Sequence, residues 1–291
     1  MKRISLLVAL TAAIWLAASA LSAVAQGDQR DPRMVDLAAR ARENLEAGKS
    51  MHMKMSLKIE VPVAQVPDID IEIWRKNDKI RAEMPTMNQV SIVAKDEVFS
   101  YQGQAGVMLH VPPETMQQFA DQRDAVLEKL GLPKDQDEAF VTLLEKDMAT
   151  IVGEKEYDDI PCYVLQVKPE YCQAFTESLG MAGAMNMTGG LTNVQFGVLQ
   201  MALEQETGNL RRLYMEMSLM PPGMTVNVDL KLTVTVLEYE LNADIPDAMF
   251  EFEAPEGTKI IEFTPDRTIE DVQKELLDAA MAQQQAAAPE L

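Results

Sequence analysis

Between Met224 and Leu241 the chain alternates. Val226, Val228, Leu230, Leu232, Val234 and Val236 hold every second position, and Asn227, Asp229, Lys231, Thr233 and Thr235 fill the places between. A period of two sends successive side chains to opposite faces of an extended chain, so this run is a strand with one dry face and one wet face. It exceeds the usual strand length and predicts a large, strongly bent antiparallel sheet. The same alternation recurs at Met51, Met53, Met55, Leu57, Ile59 and Val61, then at Ile69, Ile71 and Ile73. Lys76 to Lys79 is a turn, after which Ile80, Ala82 and Met84 return. Val90–Ala94 and Val98–Gln102 make a second hairpin around Lys95 and Asp96, and Val107–Val111 a further short strand. Strands resume with Tyr163, Leu165 and Val167. Val194–Glu204 and Leu210–Met220 pair through the turn Glu206–Asn209. Asn242–Gly257 is expected to close the sheet with Phe250 and Phe252.

Helical spacing fills the remaining ordered stretches. Asp31 and Pro32 start a helix over Met34–Ala47, and Gly48 stops it. Glu114–Leu130 carries Phe119, Val126 and Leu130 at helical intervals, and Asp137–Ile151 carries Phe140, Leu144 and Met148. Thr268–Met281 is a charged amphipathic helix followed by a flexible Ala/Gln-rich tail. Met181–Gly190, small and glycine-rich, has neither period and reads as a mobile loop. No linker and no fixed-period repeat divides the chain. The expected organisation is a leader over 1–25, one domain over 26–267, and the helix and tail over 268–291.

The leader is Met1, Lys2 and Arg3, an apolar run from Ile4 to Leu21, and the small residues Ala23 and Ala25 flanking Val24. This is the pattern of a cleaved secretory signal, with an uncleaved anchor as the alternative. No cysteine follows the cleavage point, so the mature chain is not expected to be a lipoprotein itself. Of the 26 Lys and Arg, two (Lys2 and Arg3) leave with the leader, which carries no acidic residue; 24 then face 46 Asp and Glu, a net charge of −22. That balance argues against nucleic acid and against anionic headgroups, and suits a soluble monomer. Aromatics make up 5% of the chain, whereas methionine numbers 20. The thioether is unbranched and fills irregular apolar space.

Little in the chain suggests catalysis. The two histidines, His52 and His110, lie on separate predicted strands, and no GxSxG, HExxH, P-loop or GxGxxG occurs. No enzyme and no cofactor is expected. Met51, His52, Met53 and Met55 are soft ligands and raise a copper reading. In a strand, however, the methionines face one way and His52 the other, so a methionine core face is the favoured reading. Trp74 and Arg81 alternate away from the neighbouring isoleucines and alanine; each is either a surface residue or a binding residue. Cys162 and Cys172 flank Lys168, Pro169 and Glu170, which could turn the chain back. A local disulfide, worth about 3 kcal/mol in the loop-closure picture, is favoured over two buried free thiols.

Several stretches resemble one family, the periplasmic outer-membrane lipoprotein carriers of the LolA/LolB type. Ile71–Glu83, with Trp74 before the basic turn and Arg81 after it, is similar to that family's first hairpin. Ser91–Tyr101 is similar to the next, Gly208–Leu213 to the late turn, and Ile245–Gly257 to the closing strand, with Phe250, Phe252, Pro255 and Gly257 in the family's cadence. The present chain departs in lacking the usual proline at Lys76–Lys79 and in extra length around Glu114–Ile151 and Tyr171–Gly190. The resemblance implies an α+β, mostly antiparallel fold: an incomplete curved β-barrel, or half-barrel, with helices covering its open side. It implies a periplasmic carrier whose apolar cavity shields the acyl chains of lipids or lipoproteins. Partners would be inner- and outer-membrane sorting components. Trp74, Arg81, Met53, Met55, Leu230, Leu232, Val234 and Phe250 are the expected cavity residues. An envelope interaction or sensor module on the same fold is the alternative, with a methionine-rich metal binder behind it.

Overall fold

The alternating stretches pair into one 13-stranded sheet. Its strands are β1 (Ser50–Val61), β2 (Ala64–Gln65), β3 (Ile69–Lys76), β4 (Lys79–Met84), β5 (Gln89–Ala94), β6 (Glu97–Gln102), β7 (Val107–Val111), β8 (Ala149–Tyr157), β9 (Ile160–Val167), β10 (Thr192–Glu204), β11 (Leu210–Met220), β12 (Val228–Leu241) and β13 (Lys259–Glu262). Helices α1 (Pro32–Ala47), α2 (Pro113–Lys129), α3 (Gln136–Glu145) and α4 (Ile269–Ala286) accompany them, and residues 169–172 are also helical. This computed structural model describes residues 31–62, 64–94, 96–129, 136–172, 192–220 and 227–286. The signal expected over 1–25, the loop expected over 181–190, the start of the alternating run at 224–226 and the end of the expected tail lie outside the described residues.

The strand order is β13-β7-β6-β5-β4-β3-β1-β12-β11-β10-β9-β8, with β2 beside β1. Every pairing is antiparallel except β13 with β7. The sheet curves but does not close, as the half-barrel expectation requires. Two rows of paired residues define its faces. Ile261, Leu109, Ser100, Ser91, Ala82, Ile73, Met53 and Tyr239 stand side by side on eight neighbouring strands, on the inner face. Glu262, His110, Phe99, Ile92, Arg81, Trp74, His52 and Glu240 form the matching row on the outer face.

The long strand β12 lies at the centre of the sheet, between β1 and β11. Its alternation slips once. Lys54 pairs with Glu238 but Met55 with Val236, so Leu237 is an extra residue in a bulge and stands 48% exposed. Apolar positions shift accordingly from even numbers up to Val236 to odd numbers at Tyr239 and Leu241, both opposite methionines of β1.

Helices cover the two ends of the inner face. α1 starts where Asp31 accepts the Arg33 backbone N–H at 3.0 Å and Pro32 occupies the first turn. Its Met34, Leu37, Ala38 and Ala41 pack with Val141, Leu143 and Leu144 of α3 against Leu165, Leu199, Met201 and Met215 of β9–β11. Asn44 holds the β10–β11 turn, donating to the Thr207 carbonyl at 2.7 Å. Gly208 in that turn has φ +75° and lies so close to the Ala41 backbone that a Cβ would sit 3.2 Å from its nitrogen, which leaves glycine as the residue that fits. At the other end, Val272, Leu276 and Ala280 of α4 pack with Met116 and Phe119 of α2 on Val107, Leu109, Val111 and Ile261. α4 begins with reciprocal capping: Asp271 N–H donates to Thr268 Oγ1 at 3.2 Å, and Thr268 N–H to Asp271 Oδ2 at 3.3 Å.

Two sequence expectations need correction. The helix expected over Asp137–Ile151 ends at Glu145 and gives way to β8 at Ala149. Asp147 takes φ +55°, and Met148 N–H reaches back to the Leu143 carbonyl at 3.2 Å, a left-handed cap that reverses the chain. The second concerns Asn242–Gly257, which is a strap rather than a closing strand. It holds a short 3-10 turn, Asp247–Phe250, and crosses the outer face. β13 then pairs with β7 at the far edge of the sheet.

Candidate functional site

The middle of the inner face is the candidate site. Met51, Met53, Met55, Leu57 and Ile59 of β1, Ile69, Ile71 and Ile73 of β3, Ala82 and Met84 of β4 and Val236 of β12 form one cluster, with Leu232, Val234 and Tyr239 packed at its margin. Met53, Met55, Ile71 and Ile73 are 1–2% exposed. The described members of this cluster come from strands and the loops beside them, and the described helices pack at the two ends instead. The face is rich in methionine, whose flexible thioether stems conform to apolar partners of varying shape.

A polar strip interrupts this face. Gln89 and Ser91 of β5 and Ser100 and Gln102 of β6 point inward, Gln89 opposite Gln102 and Ser91 opposite Ser100. Gln89 and Ser91 are each 2% exposed. The two seryl oxygens lie 3.0 Å apart, and Gln89 Nε2 donates to Ser100 Oγ at 3.4 Å. Gln89 Oε1 is buried without a hydrogen-bond partner among the described residues. Leaving such an acceptor unpaired costs about 1–3 kcal/mol.

The expected cavity residues divide between the two faces. Met53, Met55, Leu230, Leu232 and Val234 share the inner face, where Leu230 joins the cluster under α1 and Leu232 touches both clusters. Trp74, Arg81 and Phe250 lie on the outer face and line no space with the others. There they fasten the strap. Phe250, Ile245 and Ala243 are buried against Trp74. Arg81 donates to the carbonyls of Met249 and Glu251 at 2.8 and 3.2 Å, and it pairs with Glu83 at 2.6 Å. Lys76 donates to the Ile245 carbonyl at 2.8 Å, and both Lys76 and Lys79 pair with Asp247. The hydrogen bond from Lys76 and the charges of both lysines hold the Asp247 carboxyl below its ordinary range. Phe252 lies farther along, 5.2 Å from the Tyr101 ring.

The other candidates resolve on geometry. His52 lies on the outer face, 2.7 Å from Glu72 and stacked on Trp74, while Met51, Met53 and Met55 are in the inner core; they cannot share an ion. Among the described residues no group of three or more His, Cys, Asp and Glu gathers to hold a metal. The Cys162–Cys172 disulfide is not formed, and both thiols are buried. Cys162 lies near the start of β9, whereas Cys172 contacts the Val167 carbonyl at its end. Five residues of extended strand span about 16 Å. A disulfide requires Cα atoms within about 7 Å. The expected turn at Lys168–Glu170 therefore does not return Cys172 along β9. Burial pushes the Cys162 thiol up to about 11 and raises that of Cys172. On the outer face, Lys155, Tyr157, Gln200, Arg212 and Tyr214 line a pocket of about 200 Å³. It is smaller than ordinary ligand pockets and lies away from the apolar face.

No family model matches the chain, and no curated protein does. Solved structures similar to it include an uncharacterized conserved protein from Thermus thermophilus, 11% identical, covering 78% of this chain and 98% of that one with a TM-score of 0.42. The lipoprotein LppX of Mycobacterium tuberculosis is 10% identical, covering 75% and 100%, with a TM-score of 0.38. A LolA superfamily protein from Nitrosomonas europaea is 9% identical, covering 73% and 97%, with a TM-score of 0.28. The strand pairings of the chain itself give an open, curved, mostly antiparallel sheet among the described residues.

Proposed function

We propose that the protein is a soluble periplasmic carrier that shields acyl chains on the middle of its inner sheet face, with lipoprotein anchors as cargo in outer-membrane sorting. The observation that carries this reading is the Met53–Met55–Ile71–Ile73 surface, deeply buried between two helix-covered ends. Each methylene placed there would gain about 0.8 kcal/mol, enough for a carrier with few polar contacts. The cargo would be exchanged with a membrane donor and a membrane acceptor, and no bond would be made or broken.

A fluorescent fatty acid titrated into the mature protein tests this. Saturable uptake, displaced by tetradecanoate, is expected. Met55→Trp, which enlarges a side chain at the centre of this surface without adding charge, is expected to weaken uptake at least tenfold while unfolding stays cooperative, although overpacking costs about 1–3 kcal/mol. A folded wild-type protein that takes up no acyl chain overturns the reading.

A further inference from the structure

We propose that the strip formed by Gln89, Ser91, Ser100 and Gln102 is a subsite for a hydrogen-bond donor carried on the acyl cargo, a hydroxyl or an amide N–H. The inference rests on the carrier reading and adds a chemical class to it. Along the inner row, Ser91 and Ser100 interrupt apolar residues, with Ala82 and Ile73 on one side and Leu109 and Ile261 on the other. In the adjacent row Gln89 and Gln102 stand between Met84, wholly buried, and Val107. Four polar side chains thus form a patch at the border of the methionine surface. Their own bonds leave it incomplete. Ser91 and Ser100 engage each other, Gln89 donates to Ser100, and Gln89 Oε1 is left as a buried acceptor with no donor among the described residues.

That asymmetry selects among ligands. A plain alkyl chain would leave Gln89 Oε1 unpaired and cover the serines with methylenes. An ester offers acceptors alone. A hydroxyl or an amide N–H supplies the missing donor, and the seryl hydroxyls can answer its own acceptor. Sites built around a buried hydrogen-bonding group discriminate strongly against analogues that lack the matching group.

The test is competitive displacement of a fluorescent fatty acid from the mature protein by three ligands: tetradecanoate, β-hydroxytetradecanoate and N-dodecanoylglycine. Wild type is expected to bind at least one donor-bearing ligand about tenfold more tightly than tetradecanoate, as one satisfied buried hydrogen bond would give. A hydroxyl-selective or amide-selective result identifies the source of the donor. Gln89→Met is expected to reduce the ratio of donor-bearing to tetradecanoate affinity below about twofold. Ser91→Ala, a smaller change, is expected to reduce it in the same direction, and both melting curves should remain cooperative. Equal binding of all three ligands by wild type, or a preference that survives both substitutions, overturns the subsite and leaves the carrier reading standing. Absence of tetradecanoate binding overturns both.

Discussion

Arg81 donates to the Met249 carbonyl at 2.8 Å and so ties the strap after β12 to strand β4. The two residues are 168 positions apart, and the guanidinium is 14% exposed. Arg81→Ala removes this bond, the one to Glu251 and the pairing with Glu83. A charged hydrogen bond of this kind contributes about 1.5–3 kcal/mol. The expected loss is about 2 kcal/mol in denaturant unfolding, with acyl uptake retained, because the cargo surface is on the other face of the sheet. Loss of uptake in a variant that remains folded would show that the strap and the inner face are coupled.

Acid should loosen the same strap. Asp247 has its carboxyl depressed below 3.8 by Lys76 and Lys79. A depressed carboxylate contributes stability above its unfolded value, and that contribution is lost as pH falls through the lower folded value. The pair is exposed, so the effect is small and screened by salt. With the leader removed, Trp74 is the one remaining tryptophan, and it packs against the strap. Its fluorescence should change below pH 3.8 at low salt. The change should be absent in Asp247→Asn and compressed at high salt.

The thiols should be silent at neutral pH. With Cys162 at about 11 and Cys172 also raised, almost no thiolate is present, and both groups are buried. The folded protein is expected to react negligibly with a thiol reagent at pH 7, and both thiols should titrate on denaturation. Cys172→Ala should cost what a buried truncation costs and nothing that reductant can mimic. A mature protein with no titratable thiol after denaturation would refute this arrangement.

What was legible in the chain follows from periodicity. β1 and β3 carry a clean two-residue period with one face in the core, and β10 and β12 carry it between bulges, so the existence of these strands could be read directly. β8 could not. From Val152 to Glu156 it is exposed throughout, so no apolar alternation marks it, and the deciding event is the left-handed Asp147. Phe250 and Phe252 mimic the alternation of a strand, yet arginine and lysine bonds to backbone carbonyls hold their segment across the sheet. Trp74 and Arg81 stand on the face opposite Met53 for a related reason: alternation already sets them apart, and pairing carries that division across the sheet. The polar strip was the least legible. Ser91 and Ser100 are nine positions apart, and their meeting depends on hairpin register.

Strand order also has a kinetic consequence. β3 to β7 form one meander of neighbours in sequence, and β8 to β12 another, each able to assemble from short-range turns. Within the sheet they are joined where β1 pairs with β12, Met51 opposite Leu241, across most of the length of the chain. Closing so long a loop is slow, because its entropy is lost before the contacts repay it. The methionines of β1 lie on that seam. The surface proposed for cargo therefore depends on a long-range closure, which the two local meanders do not need.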